Sequence, residues 1–191
     1  MVRTFFYLAM ITIMTSCVGY YFTDEGGVRA NNPKVFKYNK QKHIVKDKTG
    51  IDTNAVYILH SIHGKWNRNS SIWGISQNSF LRFFNSGQVL FVTCDSVPTP
   101  NEINNPNLGT PGYFIVKGTK LKIDMLQLIN GGQTGKCFGR INKNGDLIIF
   151  ENNPETYYSS FFLLENLEGR RSFSVWKKTK TEDFKIYKPN W

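Results

Sequence analysis

Histidine, cysteine and acidic residues are scarce in this chain. Its 191 residues include three histidines, three cysteines and 14 aspartates and glutamates, against 24 lysines and arginines. Three cysteines cannot build the dense disulfide framework of a small secreted scaffold. Few acids and histidines leave little material for paired carboxylates, a nucleophile with its base or a metal cluster. We therefore predict no catalytic residues, no metal and no cofactor, and an enzyme is the least favoured class of function.

The histidines His60 and His63 have a His-x-x-His spacing. The surrounding pattern is that of a strand, on which residues three apart point to opposite faces. No acid or cysteine lies close by in the sequence to serve as a third metal ligand. A hydrolase would need these histidines, Cys94 or Asp95 to converge with the scattered acids in one cleft, and no spacing in the sequence indicates that.

The apolar stretch at the N-terminus is too short for a membrane-spanning helix. It covers residues 5–14, about half of the ~20 residues that a helix needs to cross a hydrocarbon core. Arg3 precedes it, and the small residues Thr15 and Ser16 follow it and lead into Cys17. This order of a basic start, an apolar core and small residues is typical of a secretory signal.

The segment Met14-Thr15-Ser16-Cys17 resembles the lipobox of bacterial lipoproteins. The resemblance implies that residues 1–16 are a signal peptide and that Cys17 is acylated, palmitate included. Two or three acyl chains, each contributing about 0.8 kcal/mol per buried methylene, give stable membrane attachment. Val18 follows instead of aspartate, which favours the outer membrane within the cell envelope. The alternative is an ordinary secreted protein that is cut nearby.

Positive charge dominates the mature chain. Removal of residues 1–16 takes away Arg3 and no acid, which leaves 23 basic and 14 acidic residues and a net charge of +9. An exported protein meets anionic headgroups and lipopolysaccharide rather than nucleic acid. We therefore predict a membrane partner and no nucleic acid.

Residues 17–50 are rich in lysine and are predicted to be a tether between the anchor and the domain at 51–191. Near an anionic surface each lysine would gain up to about 1 kcal/mol. The alternatives are a solvated tether or a strand edge that lysine keeps soluble. The lysines are Lys34, Lys37, Lys40, Lys42, Lys46 and Lys48.

From residue 53 onward, short apolar runs are separated by Gly, Asn and Pro, which is the signal for strands. Hairpin turns with residues that tolerate positive φ join several of these runs. The pattern predicts a mainly β domain, a single antiparallel meander of about eight or nine strands that forms a lipocalin-like barrel or half-open barrel. The predicted strands are 56–62, 80–85, 88–94, 113–117, 121–128, 137–142, 147–151, 161–164 and 172–177, of which 161–164 could instead begin a short helix.

Residues 95–111 contain four prolines and four asparagines, which excludes a central strand. A loop this long either covers a binding mouth or is a variable insertion. Of the cysteines not assigned to lipid, Cys94 and Cys137 either form a disulfide, which an extracytoplasmic location permits, or are small buried apolar residues.

The sequence Gly64-Lys65-Trp66 resembles the first motif of lipocalins. That resemblance implies that Trp66 closes the floor of the barrel and that Arg170 or Arg171 packs over it. The lipobox, the lysine-rich segment, Phe-Leu-Arg-Phe-Phe-Asn-Ser-Gly at 80–87 and Asn-Gly-Gly-Gln at 130–133 together resemble uncharacterised lipoproteins of the Bacteroidetes type. These are small exported β domains with no activity to transfer.

Three functions are compatible with this sequence. The first is a membrane-anchored binding module for a small apolar or amphipathic ligand, which requires a cavity. The second is an envelope protein that interacts with another protein through a surface patch. The third is a hydrolase, which the scarcity of acids and histidines disfavours.

Overall fold

The computed structural model describes residues 19–39, 50–63, 76–128, 132–150 and 173–191. Within these ranges the chain forms a two-stranded N-terminal hairpin and an eight-stranded closed barrel. The hairpin consists of β1 (Tyr20–Phe22) and β2 (Val28–Ala30), and a 3-10 helix (Pro33–Val35) follows it. The barrel strands are β3 (Val56–His63), β4 (Phe80–Phe83), β5 (Gln88–Val92), β6 (Thr110–Lys117), β7 (Lys120–Gln127), β8 (Gln133–Ile141), β9 (Leu147–Phe150) and β10 (Phe173–Thr179).

Each barrel strand pairs antiparallel with the next strand along the chain, and β10 pairs with both β9 and β3 to close the ring. The predicted mainly β fold, a single antiparallel meander of lipocalin-like form, is confirmed. Eight of the nine predicted strands coincide with β3–β10, and the predicted strand 161–164 lies outside the described residues. Closure removes the exposed edges that an open sheet would present.

The predicted loop at 95–111 is partly regular. Helix α1 (Pro100–Asn104) begins with a capping box, in which the Thr99 hydroxyl accepts from the Glu102 N–H and the Glu102 carboxylate accepts from the Thr99 N–H. The prediction that residues 95–111 contain no central strand was wrong for the last two residues, because β6 begins at Thr110 and includes Pro111. Proline is compatible with the start of a strand, where fewer ladder bonds are lost.

Apolar side chains fill the inside of the barrel, because alternate residues of every strand point inward. The largest of them, Trp176, is fully buried, and its indole N–H donates to the Ser174 hydroxyl at 2.8 Å. The Trp176 ring also packs edge-on against Phe91. The interior cluster further includes Tyr57, Leu81, Phe83, Val89, Phe114, Leu121, Ile123, Met125, Cys137, Leu147 and Ile149.

Residues 19–39 belong to the folded domain, so the predicted tether at 17–50 is corrected over this part. Val28, Phe36 and Tyr38 pack against Tyr113 and Leu126 on the outside of β6 and β7. The lysines of this stretch are interleaved with apolar residues, and burial of those apolar residues outweighs the preference of the lysines for solvent. Residues 40–49, with four of the six lysines, lie outside the described residues.

The carboxylate of Asp124 is buried beneath this N-terminal layer. Its Oδ2 accepts from the Lys37 backbone N–H at 2.5 Å, and its Oδ1 has no partner among the described residues. Burial raises the pKa of Asp124, and the hydrogen bonds from Lys37 and Thr134 offset this only in part. The charged form of Asp124 therefore costs stability at neutral pH.

Asp146 has the opposite environment, in the turn between β8 and β9. It accepts from the Lys177 ammonium at 3.0 Å, the Lys178 N–H at 3.0 Å and the Asn142 side chain. Burial alone would raise the pKa of Asp146, but these hydrogen bonds outweigh it and hold the pKa below its usual value. They also fasten the turn to β10 and so support closure of the barrel.

We expect Asp124→Asn to raise the free energy of unfolding at pH 7 by about 1 kcal/mol, because it keeps an acceptor for Lys37 and removes a desolvated charge. The pKa of Asp124 is higher in the folded state than in the unfolded one. The penalty is therefore complete at neutral pH and disappears as the pH falls through the folded pKa. Urea unfolding at a series of pH values measures the difference, which should shrink in acid.

Asp146→Asn is the matched control and should behave in the opposite way. The folded pKa of Asp146 is depressed, so its contribution is complete above the unfolded pKa and is lost as the pH falls through the folded value. We expect the free energy of unfolding to fall by about 1 kcal/mol at pH 7 and by less in acid. Equal pH profiles for the two variants would contradict both assignments.

Candidate functional site

The described residues contain no group of three histidine, cysteine or acidic side chains that could hold a metal ion. His60 is the extra residue of a bulge where β3 pairs with β10, and it is exposed. His63 is also exposed, stacks on Phe173 and shares a hydrogen bond with the Ser61 hydroxyl. Neither histidine has a carboxylate partner within the described ranges, so no catalytic pair is found there.

The remaining cysteines are free and buried in separate places. Cys137 lies in the barrel interior, whereas Cys94 lies in the cluster on the outside of β3–β5. Of the two alternatives left open by the sequence, two buried reduced cysteines describe the structure, and no disulfide joins Cys94 and Cys137. Burial raises the pKa of Cys94 to about 11 and that of Cys137 well above its usual value, so neither is a reactive thiolate at neutral pH.

Other residues singled out in the sequence lie outside the described residues. These are Cys17 at the lipobox and the barrel-closing candidates Trp66, Arg170 and Arg171. The tryptophan that the structure places inside the barrel is Trp176 on β10. The lipocalin motif did not indicate it.

The structure instead draws attention to Arg82, which is fully buried on the outside of β4. Its neighbours Leu81 and Phe83 point into the barrel, so alternation turns Arg82 outward. Its guanidinium donates to the main-chain oxygens of Ile103 in α1 and of Lys185 in the C-terminal tail. Arg82 thus joins α1 and the tail to the barrel wall.

Arg29 on β2 does the same for the N-terminal hairpin. It is buried and donates to the main-chain oxygens of Gly109, Pro106 and Leu108, in the connection between α1 and β6. Its guanidinium also lies 4.5 Å from the ring centroid of Trp191, at the end of the tail.

The C-terminal tail, residues 180–191, crosses the outside of the barrel between these two arginines. Arg82 lies over Phe184 at 4.2 Å and over Tyr187 at 4.4 Å. Phe84 packs against both Tyr187 and Trp191, with centroids 5.3 and 5.9 Å apart. Rings and guanidinium groups therefore form one continuous stack from Phe184 to Arg29.

Hydrogen bonds to main-chain atoms fix the two ends of the tail. The Asn104 side chain accepts from the Lys185 N–H at 2.9 Å and donates to the Asp183 oxygen at 3.0 Å. The main-chain oxygen of Trp191 accepts from the Gln88 amide at 2.6 Å and from the Tyr113 hydroxyl at 3.0 Å. The tail is held in this way although it forms no strand.

Main-chain oxygens and aromatic rings, rather than carboxylates, contact Arg82 and Arg29 in the described part of this layer. Among the described residues, neither Arg82 nor Arg29 forms an ion pair with a carboxylate, and burial lowers the pKa of both guanidinium groups. Three buried donors here have no hydrogen-bond partner within the described part of the chain. They are the Arg82 Nε–H, the Tyr187 hydroxyl and the Trp191 indole N–H. A buried donor without an acceptor costs free energy.

A groove of about 430 Å³ opens beside the tail where Arg82 lies. Phe84, Tyr187 and Ile186 give it an apolar wall, and Arg82 and Lys188 supply two positive charges. Thr53, Asn85 and Ser86 complete the lining. A second groove of about 280 Å³ lies on the other side of the tail, between Arg29, Tyr21, Phe36 and Trp191.

Analysis of the sequence missed this layer. Arg82 stands in the run Phe80-Leu81-Arg82-Phe83-Phe84, where a charge among apolar residues signals a buried polar contact. The three aromatic residues of the lysine-rich tail were a second signal. Neither pattern identifies its partner, because the partners are 21 to 103 residues away in the sequence.

We expect Arg82→Met to release the tail, because methionine keeps much of the volume but cannot bond the oxygens of Ile103 and Lys185. Cleavage by trypsin after Lys185 should become about tenfold faster, which corresponds to about 1.4 kcal/mol of local stability. Mass spectrometry of the released peptides over time measures the rate of cleavage. Lys143→Met, in an exposed turn, is the control and should cleave like the parent, and a fully protected tail in Arg82→Met would refute the role of Arg82.

Comparisons with protein-family models, with curated proteins and with solved structures found no match. Within the described residues, no helix is long and apolar enough to cross a membrane. The candidate site is therefore defined by its own chemistry, an apolar groove with two cationic side chains on the outside of a packed barrel.

Proposed function

We propose that this chain is an envelope lipoprotein, anchored through Cys17, that binds an amphipathic ligand with one anionic group in the groove beside Arg82. The observation that carries the proposal is the buried Arg82 guanidinium, which lines an open groove without a carboxylate partner among the described residues. The barrel acts as a rigid support for this outer site.

The interior of the barrel offers less support for a ligand. Side chains from all eight strands form one buried cluster there, with Trp176, Tyr57 and Phe83 among its fully buried members. A lipocalin-type binding site would need that volume to be open. The binding module inferred from the sequence is therefore better supported on the outside of the barrel.

An anionic group is favoured because a buried charge is costly unless it is paired. The planar guanidinium of Arg82 donates to two main-chain oxygens and to the Asn104 side chain, and no carboxylate among the described residues pairs with it. A carboxylate or phosphate would supply acceptors for such a donor. Lys188 would add a second positive charge at the mouth of the groove.

An apolar group is favoured by the opposite wall. Ile186 is 73% exposed although it is a large aliphatic residue, and it stands next to Phe84 and Tyr187 in the lining. Such a wall would gain free energy at about 25 cal/mol per Å² of apolar surface covered by a ligand. A ligand with both an acidic and an apolar part would satisfy the two sides of the groove together.

The anchor is tested by Cys17→Ala. We expect this variant to lose incorporation of radiolabelled palmitate and to move from the membrane fraction to the soluble fraction, because only acylation would hold the mature chain to lipid stably. Ser16→Ala, which keeps the cysteine, serves as the control. A Cys17→Ala chain that stays labelled and bound to membranes would exclude the proposed anchor.

The groove is tested with 1-anilinonaphthalene-8-sulfonate, a fluorescent amphipathic anion. We expect Ile186→Asp to weaken its binding at least about tenfold, a loss of about 1.4 kcal/mol, because it places a negative charge in the apolar wall. Val97→Asp is the matched control, since Val97 is equally exposed and lies outside the groove lining. Titration of the fluorescence of each variant gives the dissociation constants.

The neutral probe N-phenyl-1-naphthylamine separates the anionic from the apolar contribution. Lys188→Gln should weaken binding of the anionic probe by a few-fold and leave the neutral probe almost unchanged. If Ile186→Asp and Val97→Asp bind the anionic probe equally well, the groove is not the site. The second function inferred from the sequence, an envelope protein that interacts through its surface, would then take its place.

A further inference from the structure

Several large apolar side chains are exposed among the described residues. Among the described residues, two large aromatic side chains are strongly exposed, Tyr21 at 54% and Phe22 at 61%, and both belong to β1. The exposed aliphatic side chains outside the groove are Ile62, Val97 and Leu128. Single exposed apolar residues need no explanation, but several that share one region indicate a contact surface.

The topology places the three aliphatic residues at the same end of the barrel. β3, β5 and β7 run in the same direction, because alternate strands of an antiparallel meander are parallel to each other. Ile62 lies near the end of β3, Val97 follows the end of β5, and Leu128 comes directly after β7. We call this the apolar end of the barrel.

The N-terminal hairpin is attached at the apolar end as well. Thr23, next to Phe22, donates its hydroxyl hydrogen to the main-chain oxygen of Asn107 at 2.6 Å. Arg29 bonds the oxygens of residues 106, 108 and 109, just before β6 starts at this end. The rings of Tyr20 and Phe22 also contact each other edge-on, 5.7 Å apart. The hairpin that carries Tyr21 and Phe22 is thus fixed to the connection that enters β6 at the apolar end.

The position of Cys17 in the sequence limits how far this surface can lie from its anchor. Phe22 is five residues from Cys17, and a fully extended chain advances at most about 3.6 Å per residue, so the two are at most about 18 Å apart. The folded part begins at once, with residue 19 already in the described hairpin. No long tether separates the anchor from the exposed aromatic pair.

We propose that the apolar end of the barrel rests on the lipid bilayer, with Tyr21 and Phe22 inserted among the headgroups. This inference rests on the proposed anchoring at Cys17 and adds a fixed orientation to it. Aromatic side chains prefer the interface between hydrocarbon and water, where their rings are partly desolvated. Two rings and three aliphatic side chains would provide this contact.

The charges that the structure describes at the apolar end favour a zwitterionic lipid. Asp24, Glu25 and Asp95 are exposed near the aromatic pair and Val97, whereas exposed lysines such as Lys117 and Lys143 lie in turns at the opposite end. Acidic side chains would be repelled by an anionic surface and can accept hydrogen bonds from the ammonium of phosphatidylethanolamine. We therefore assign a bilayer rich in phosphatidylethanolamine as the partner.

Fluorescent labels at the two ends of the barrel test this orientation. The acylated full-length lipoprotein carries Val97→Cys or the control Asn144→Cys, labelled with bimane, in phosphatidylethanolamine vesicles that contain spin-labelled lipid. Cys94 and Cys137 are buried, so the introduced cysteine is the reactive one. Both positions are exposed, and Asn144 lies in the turn at the opposite end.

We expect spin-labelled lipid to quench the label at position 97 and to leave that at position 144 at its level in solution. Tyr21→Ser with Phe22→Ser should abolish the quenching at 97 while the protein still sediments with the vesicles. Equal quenching at both positions, or none at either in protein that sediments, would overturn the orientation and leave the anchor intact. Failure to sediment would instead overturn the anchoring, and with it this inference.

Discussion

Burial of two guanidinium groups that have no carboxylate partner in the described part of the chain is the constraint on which the outer layer depends. Arg82 bonds main-chain oxygens of α1 and the C-terminal tail, and Arg29 bonds those of the connection before β6. Each is also stacked on aromatic rings, which desolvate the charge less severely than aliphatic neighbours would. Without these contacts the tail, which forms no strand, would keep only its bonds to Asn104, Gln88 and Tyr113 and its ring contacts with Phe84.

The barrel interior and the outer face of the barrel differ in the groups that they bury. The interior is a single apolar cluster with few polar groups, among them the Trp176 indole, which bonds Ser174, and the Tyr57 hydroxyl, which accepts from the Asp52 N–H. The buried charged side chains Asp124, Arg29 and Arg82 lie on the outer face instead, where segments outside the barrel cover them. A buried polar group that makes only some of its hydrogen bonds is costly in a core. It is useful at a surface where a ligand can supply the remaining bonds. This favours the outer layer over the interior as the place for binding.

Much of the fold could be predicted from the sequence, because strand residues reveal their two faces locally. Leu121, Ile123 and Met125 alternate with polar residues, and glycines such as Gly87 and Gly145, both at positive φ, mark the turns. Residues 19–39 were assigned to a tether because their lysines are obvious, whereas the fit of Phe36 against Tyr113 depends on residues 77 positions apart. The candidate site was missed for the same physical reason, since Arg82, Phe184 and Tyr187 meet only after the barrel has closed.

The orientation proposed for the barrel also bears on how a ligand reaches the groove. Asn85 and Ser86, which line the groove, lie in the turn between β4 and β5, at the barrel end opposite to Ile62 and Leu128. With the apolar end on lipid, that turn points away from the bilayer and the groove opens to water. A ligand would then arrive from the aqueous phase rather than from the membrane directly beneath the barrel. Such a route favours an amphipathic anion that is soluble enough to diffuse, and it gives Lys188 at the mouth a role in attracting it.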